Sequence, residues 1–387
     1  MTTIEFVYFD AGGGHRAAAS ALDEAIRQQN RPWQVRLVNL FDVLDPTDQF
    51  RRVTGFAPEA YYNKRLARGW TLGLAQELKI LQGAIRFGHA KLVSRLQQHW
   101  LRTEPDLVVS LIPNFNRALY DSVAAALPGV PCVTVLTDLA DYPPAFWMEA
   151  PQHHHLVVGT ERAMAQARAL GYQDRHLHAT SGMIIRPDFY RPLEIDRRAE
   201  LLRLGLDPAR PTGVVMFGAQ GSMSMLTIAK QLDEVQLILM CGHHRPLATQ
   251  LRALKSRAPR AVIEFTPEVR RHLQLGDFFI GKPGPGSLSE AVHLGLPVVT
   301  IRNTWTMPQE RYNAEWVLDN GLGLVAKSTR SVAPVVADLV ARLDAFKAGV
   351  SSVRNRAVFE VPDILAGILA SSTQPTGRVV AGDFAAG

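Results

Sequence analysis

The chain has 387 residues, of which 47% are hydrophobic and 20% charged, and its formal net charge at pH 7 is +6. These values are typical of a folded globular protein, and no apolar run reaches the roughly 18 to 20 residues of a transmembrane helix. The length predicts two domains, and the N-terminal residues lack the pattern of a secretory signal. Cys132 and Cys241 lie in apolar runs far apart, which predicts buried thiols and a cytoplasmic protein.

Strand-like and helix-like runs alternate through the first half of the chain, which is the pattern of a parallel sheet covered by helices. The predicted strands are residues 4–9, 35–40, 107–111, 133–136 and 156–159. The predicted helices are residues 17–28, 119–126 and 161–170. A proline-containing break at residues 186–192 ends this pattern, so we predict a first domain over residues 1–188.

A glycine turn follows the first predicted strand, in the sequence Asp10-Ala-Gly-Gly-Gly-His-Arg16. It fits the permissive form of a dinucleotide-binding turn, but the second strand ends at Asn39-Leu40 without a ribose-binding carboxylate, which argues against a redox enzyme. An imidazole on such a turn can remove a proton from an acceptor hydroxyl at neutral pH. His15 is therefore a candidate base, oriented by Asp10; alternatively, Asp10 is the base, or His15 only packs at the helix start.

Residues 51–102 carry ten Lys or Arg residues and two Glu residues, interleaved with aromatic and aliphatic side chains. This mixture is typical of a segment that lies on an anionic membrane surface. An ordinary solvated helical face explains the aliphatic residues equally well. Nucleic-acid binding is a third interpretation, but no nucleic-acid motif accompanies the charges, and we expect no such partner.

The strand and helix pattern restarts after the break and predicts a second domain over residues 189–350. The predicted strands are residues 213–217, 235–241, 262–265, 277–281, 298–301 and 322–326. The predicted helices are residues 226–231 and 247–254, with a further helical run at residues 332–346. A C-terminal helical segment is predicted over residues 351–372, and the small, polar residues 373–387 predict a disordered tail.

A second glycine turn, Lys282-Pro-Gly-Pro-Gly-Ser-Leu-Ser-Glu290, joins a predicted strand to a helix. Glycine lets the backbone approach a ligand, and the free N–H groups at a helix start favour a phosphate. The predicted phosphate-binding residues are Lys282, Gly284, Pro285, Gly286 and Ser287. Glu290 either reaches a ribose diol or is a favourable charge near the helix start, and Lys282 is either a phosphate ligand or an ordinary strand-end lysine.

A polar cluster of Gln309, Glu310 and Asn313 comes soon after the next predicted strand. Because the carboxyl ends of parallel strands meet at one edge of a sheet, the cluster and the glycine turn predict a nucleotide-sugar pocket. The histidine runs 153–155 and 243–244 lack carboxylate or cysteine partners at a recognised ligand spacing, so we expect no metal site.

Several of these motifs together resemble the monogalactosyldiacylglycerol synthases and the related diacylglycerol glucosyltransferases, glycosyltransferases of family 28. A more distant resemblance is to the N-acetylglucosaminyltransferase that makes lipid II. The motifs are residues 10–17, Thr137-Asp138-Leu139, residues 182–189 with Arg186-Pro187, residues 282–291, and Gln309-Glu310 with Asn313. They occur in the same order and at similar spacing over about residues 4–345.

The resemblance implies an α/β protein of the GT-B fold, with two Rossmann-like domains whose parallel sheets face each other across a cleft. It implies an acceptor domain first and a donor domain second, with inverting transfer that needs no metal or cofactor. The acceptor-side positions would be Gly13, Gly14, Arg16 and Asp138. The donor-side loop after the second domain's first strand would contribute Gly218, Gln220 and Gly221.

The function implied is transfer of galactose or glucose from a UDP-sugar to the hydroxyl of diacylglycerol or a related lipid. The protein would then be peripheral on the inner face of the cell membrane. Tyr312 stands where the family has a glycine, and this departure leaves the sugar open. The alternatives are a UDP-sugar epimerase of the same architecture, an N-acetylglucosaminyltransferase acting on another lipid, and a non-catalytic binding protein.

Overall fold

A computed structural model describes residues 1–10, 13–45, 74–149 and 153–372, which form two six-stranded parallel sheets covered by helices. The first sheet has the strand order β2-β1-β3-β4-β5-β6. Its strands are β1 (Thr2–Tyr8), β2 (Trp33–Asn39), β3 (Leu107–Ser110), β4 (Cys132–Val135), β5 (His155–Val158) and β6 (Leu177–Ala179). The accompanying helices are α1 (Gly14–Gln28), α2 (Leu40–Leu44), α3 (Leu74–Phe87), α4 (His89–Thr103), α5 (Asn116–Ala126) and α6 (Glu161–Ala169).

The second sheet has the order β12-β11-β10-β7-β8-β9. Its strands are β7 (Thr212–Met216), β8 (Gln236–Met240), β9 (Arg260–Ile263), β10 (Phe278–Gly281), β11 (Val298–Ile301) and β12 (Gly323–Ala326). The helices that follow in the chain are α7 (Arg197–Arg203), α8 (Ser224–Gln231), α9 (Arg245–Ala253), α10 (Val269–Leu273), α11 (Pro285–His293), α12 (Arg311–Asp319), α13 (Val332–Ala341), α14 (Leu343–Ser351) and α15 (Ala357–Ser372).

The central strands of both sheets are buried on both faces, as expected for apolar strands between two layers of helices. Each predicted strand is confirmed, with ends that differ by two residues or fewer. Strand β6 was not predicted, because this short, partly exposed edge strand has no apolar run. The helical run predicted over residues 332–346 is two helices, which meet at Arg342.

The C-terminal helix α15 packs against the first domain, although it follows the second domain in the chain. Val358, Val361 and Leu365 are fully buried in the same core as Ile4 and Leu22. The chain therefore passes between the domains twice, once at the short 3₁₀ helix Pro187–Tyr190 and once before α15. Residues 51–73, which belong to the basic segment 51–102, and the tail 373–387 lie outside the described residues.

Along the described ranges, no helix is both long enough and apolar enough to span a bilayer. Helices α3 and α4 carry the described part of the basic segment and pack on the first domain through Ile85, Leu92 and Trp100.

Candidate active site

A cavity of about 350 Å³ lies between the carboxyl edges of the two sheets. The first domain contributes Asp10 and Gly13, which follow β1, and the second domain contributes loops after β7, β10, β11 and β12. Seven predicted site residues line it: Asp10, Gly13, Gly218, Gln220, Gly221, Lys282 and Glu310. The structure thus brings part of the predicted acceptor side and part of the predicted donor side to one cavity.

His15 lies in the first turn of α1, behind the glycine turn. Its Nδ1 atom is 2.8 Å from the carbonyl oxygen of Leu111 and 3.2 Å from the hydroxyl of Thr137. Because a carbonyl oxygen only accepts, Nδ1 carries the proton and Nε2 keeps its lone pair. Burial lowers the pKa of His15 to about 4, against a smaller opposing effect of the bond to Leu111, so the imidazole is neutral at pH 7.

Asp10 contacts Arg16 rather than His15. The Asp10 Oδ2 and Arg16 Nη1 atoms are 2.9 Å apart, and both side chains are exposed at the mouth of the cleft. The orientation that we predicted Asp10 to give His15 is supplied instead by Leu111 and Thr137. The neighbouring Gly14 begins α1, after Gly13 at a φ of 80° that favours glycine.

Asp138 follows β4 and is a buried carboxyl group that faces the second domain. Its Oδ2 atom accepts a hydrogen bond from Nε1 of Trp147 at 2.9 Å. Burial raises the pKa of Asp138 to about 7. The hydrogen bond from Trp147 and the positive charge of Lys282 oppose this shift, and the negative charge of Glu310 adds to it. Glu310 and Lys282 belong to the second domain, so Asp138 is near enough to these predicted donor residues for their charges to affect its pKa.

The sequence did not predict a role for Trp147. The buried carboxylate of Asp141 accepts hydrogen bonds from the backbone N–H groups of Ala145, Phe146 and Trp147, at 3.1, 3.0 and 2.6 Å. These bonds fold the loop after β4 so that the indole of Trp147 contacts Asp138 and has its ring centre 6.0 Å from that of His15. Asp138 could be recognised from the Thr137-Asp138 motif, whereas no sequence signal marks Trp147.

The loop after β7 requires its glycines. Gly218 and Gly221 have φ angles of 75° and 64°, where other residues are strained. A Cβ atom at Gly221 would lie 2.3 Å from the carbonyl oxygen of Cys241, so the loop backbone is held directly against the end of β8. Gln220, between them, is exposed into the cavity.

The second glycine turn forms the start of α11, as predicted from its strand, turn and helix pattern. Gly284 is the N-cap, Pro285 is the first helical residue, and no side chain caps the helix. Its first-turn N–H groups are therefore available to an anion, and a Cβ atom added at Gly286 would meet no atom within 4 Å. Lys282 forms an ion pair with Glu310, which links the turn to the predicted sugar-binding cluster.

Glu290 lies on α11 and contacts the linker between the domains. Its Oε1 atom is 3.6 Å from Nε of Arg186, which is also 3.7 Å from Asp188. Burial raises the pKa of Glu290 to about 7, the charge of Arg186 lowers it and the charge of Asp188 raises it. Arg186 was visible in the sequence as part of a motif, but it was not predicted as a site residue.

Two predicted sugar-binding residues take different positions. Asn313 is fully buried; its Nδ2 atom donates to the carbonyl oxygen of Pro283 at 2.8 Å, so it supports the glycine turn. Gln309 is partly exposed on the 3₁₀ helix Pro308–Glu310, with Nε2 3.7 Å from the sulfur of Met307. Seven of the predicted donor residues do not line the cavity itself: Gly284, Pro285, Gly286, Ser287, Glu290, Gln309 and Asn313.

The histidine runs have structural contacts. His243 stacks on Phe265 with ring centres 3.8 Å apart, and His244 caps α9 by accepting from the N–H of Leu247 at 3.1 Å. His155 contacts His178 on the neighbouring strand, with ring nitrogens 3.0 Å apart. In the part of the chain that the structure describes, no group of three or more histidine, cysteine or acidic side chains is arranged to hold a metal ion.

Residues 215–363 match the Glycosyltransferase family 28 C-terminal domain. Monogalactosyldiacylglycerol synthase 1, chloroplastic, of Arabidopsis thaliana is 27% identical over 354 residues, which cover 85% of this chain and 63% of that protein. The chain therefore spans less than two thirds of the length of that relative.

Solved structures with low sequence identity share the fold. MurG of Acinetobacter baumannii has a TM-score of 0.61 and 14% identity, with 95% of this chain and all of that chain covered. A candidate UDP-N-acetylglucosamine 2-epimerase of Listeria monocytogenes has a TM-score of 0.56 and 13% identity, with 96% of each chain covered. The protein has the GT-B fold, matches the Glycosyltransferase family 28 C-terminal domain over residues 215–363, and resembles the monogalactosyldiacylglycerol synthases over most of its length.

Proposed function

We propose that this protein transfers galactose or glucose from a UDP-sugar to the hydroxyl of diacylglycerol or a related lipid, with inversion and without a required metal or cofactor. The observation that carries the proposal is the cavity between the domains. The first domain contributes Asp10 to the cavity, with His15 at the start of α1 and Asp138 on the loop after β4. The second domain contributes the glycine loop after β7 and the Lys282 turn, and this turn leads into the helix start of α11, which suits a diphosphate. The names of the relatives support the sugar and the lipid.

His15 is the proposed base for the acceptor hydroxyl. Its Nε2 lone pair is available because Leu111 fixes the proton on Nδ1, and the imidazole is neutral at physiological pH. A pKa of about 4 makes His15 a weak base on its own. Asp138, whose pKa of about 7 lies at the operating pH, is the second group on this wall that can take part in the proton transfer.

The second domain supplies the leaving-group site. The UDP-sugar would place its diphosphate at Gly284–Ser287, its ribose at Glu290 and its hexose hydroxyls at Gln309 and Glu310. Charge develops on the β-phosphate only as the glycosidic bond breaks, so N–H donors fixed at the helix start stabilise the transition state more than the bound substrate. Because Arg186 is near Glu290 in this structure, donor binding would exchange that ion pair for hydrogen bonds to the ribose.

We also propose that helix α3 contacts an anionic membrane surface, with the protein peripheral on the inner face of the cell membrane. Ile80 and Phe87 are seven residues apart and so share one side of the helix, with side chains 71% and 97% exposed. Lys79 and Arg86 are exposed beside them with the same spacing. An apolar stripe beside a basic stripe suits insertion between lipid headgroups that carry negative charge.

The membrane proposal is tested by sedimentation with vesicles. Ile80→Ser with Phe87→Ser should reduce cosedimentation with vesicles that contain phosphatidylglycerol, because the apolar stripe is lost. The matched control is Leu318→Ser, which changes an exposed leucine of the second domain. Unchanged cosedimentation of the double variant would assign α3 to an ordinary solvated face.

The reaction is tested by incubating the protein with radiolabelled UDP-galactose, UDP-glucose or UDP-N-acetylglucosamine and diacylglycerol vesicles, followed by separation of the lipids. Label from a hexose donor should appear in a glycosylated diacylglycerol. Label only from UDP-N-acetylglucosamine, on another lipid, would favour the N-acetylglucosaminyltransferase alternative. A changed nucleotide sugar with no labelled lipid would favour the epimerase, and binding without turnover would favour a binding protein.

A further inference from the structure

An aromatic side chain that the sequence did not mark stands on the donor wall of the cavity. Trp305 follows β11, lines the cavity and has 54% of its side chain exposed, whereas the residues that follow it, Thr306 and Met307, are buried. An exposed indole between the walls of a cleft leaves a large apolar surface for a ligand to cover.

The turn that carries Trp305 is held by hydrogen bonds. The Asn303 side-chain oxygen accepts from the N–H of Trp305 at 2.9 Å, and the Thr306 hydroxyl oxygen accepts from the N–H of Asn303 at 2.9 Å. The N–H of Thr306 donates back to the carbonyl oxygen of Asn303 at 3.1 Å. These three bonds fix the backbone on both sides of Trp305, so the point from which the indole extends is set before a ligand binds.

The neighbours of Trp305 indicate which part of the donor it meets. Strand β11 lies next to β10, so its loop borders the Lys282 turn, and Glu310 lies on the wall of the same cavity. A pyranose ring has a face of C–H groups and a rim of hydroxyl groups. The indole can cover the C–H face while Glu310 and Lys282 bind the rim.

We propose that Trp305 is the surface on which the transferred hexose stacks, which makes it a specificity-determining residue of the donor site. This inference rests on the proposed function. An acyl chain of the acceptor is the competing occupant, but it would remove water from Lys282 and Glu310 without offering them hydrogen bonds. A hexose satisfies both the apolar and the charged groups of this wall.

The experiment measures the dissociation constants of UDP, UDP-galactose and UDP-glucose by calorimetry, without lipid, for the wild type, Trp305→Ala and Trp305→Phe. Trp305→Ala should raise the dissociation constant of the hexose donor that the enzyme uses by about tenfold, equivalent to about 1.4 kcal/mol. It should change the dissociation constant of UDP by less than about twofold. The affinity of Trp305→Phe for the hexose donor should fall between that of the wild type and that of Trp305→Ala. Trp33→Phe makes the same ring change at the first residue of β2, at the amino end of the strand and away from the cavity. It should change the dissociation constants of neither UDP nor the hexose donors.

Several outcomes would overturn the stacking role. Equal losses for UDP and for the hexose donor would show that Trp305 holds the nucleotide or the loop, and no loss for either would show no contact. A raised KM for diacylglycerol with unchanged donor binding would assign the indole to the acyl chain. If the wild type binds no hexose donor more tightly than UDP and transfers no label, the proposed function fails and the stacking role fails with it. If the wild type transfers label and Trp305→Ala transfers it equally well, only the stacking role fails.

Discussion

The two walls of the cleft are built in different ways. On the first-domain side of the cleft, Asp138 is buried and His15 is partly buried, and burial moves the pKa of His15 to about 4 and that of Asp138 to about 7. On the second-domain wall, the main features are glycine turns, backbone N–H groups and the ion pair of Lys282 with Glu310. The first wall is therefore suited to moving a proton, and the second to holding an anion whose charge grows during the reaction.

This difference implies that damage to the two walls should appear in different measurements. Loss of a group on the first wall should lower turnover and leave nucleotide affinity unchanged, because the proposed nucleotide site belongs to the other domain. Loss of a group on the second wall should lower donor affinity.

The largest expected effect is that of His15→Ala. General base catalysis contributes about 10²- to 10⁴-fold, so removing the proposed base should lower kcat by at least about tenfold, while the affinity for UDP stays within about twofold. Initial rates and calorimetric UDP titrations measure the two quantities. His153→Ala, an exposed histidine of the same domain, is the matched control and should affect neither. Equal loss of UDP binding would contradict the division between the walls.

Glu290→Ala should have the next largest effect, on the opposite wall. Loss of a charged hydrogen bond to the ribose should weaken UDP binding by about 1 to 3 kcal/mol. The measurement is again a UDP titration, with Glu234→Ala, an exposed glutamate of the second domain, as the control. An unchanged affinity would remove Glu290 from the nucleotide site and leave it as a partner of Arg186.

Asp138→Asn should change how activity depends on pH. A carboxylate that accepts a proton works only when ionised, so with a pKa of about 7 the wild-type kcat should fall about tenfold between pH 6.5 and 5.5. His15, with a pKa of about 4, stays neutral over this interval and adds no inflection. The Asn variant should have lower activity and no inflection near pH 7.

Glu290 has a similar pKa of about 7, and so the pH profile needs a second variant. Glu290→Gln should retain the kcat inflection and lose the pH dependence of the UDP dissociation constant. If the inflection of kcat persists in Asp138→Asn, another group on the first wall controls the proton transfer.

The sequence predicted every strand except β6, both glycine turns and five of the residues that line the second wall, mainly because these depend on local patterns. A glycine turn between a strand and a helix, such as Gly284–Ser287, has a periodicity and a composition that can be read directly. The surroundings of His15 could not be read in this way, since Leu111 and Thr137 are 96 and 122 residues away in the chain. The same is true of the contact between Asp138 and Trp147, because the loop geometry set by Asp141 brings them together.

The smallest expected effect tests whether the first domain tolerates buried ionisable groups away from the cleft as well. His154 is 1% exposed, lies between the rings of Tyr120 and Tyr172, and has no hydrogen-bond partner for either ring nitrogen among the described residues. His154→Phe should therefore raise the free energy of unfolding at pH 7 by about 1 kcal/mol, because an unpaired polar group is replaced by an apolar ring.

The pH dependence of the His154→Phe effect has a definite sign. Burial lowers the pKa of His154 to about 3, whereas the unfolded chain titrates near its ordinary value of about 6.5. Below pH 6.5 the unfolded wild type takes up a proton that the folded protein does not, so the wild type loses stability as the pH falls toward 3 and the variant escapes this loss. Urea unfolding at pH 7 and pH 5.5 should show a larger gap between variant and wild type at the lower pH. An equal stability difference at both pH values would mean that His154 is protonated or solvated in the folded state. Burial that shifts a pKa would then be confined, in the first domain, to the surroundings of His15 and Asp138.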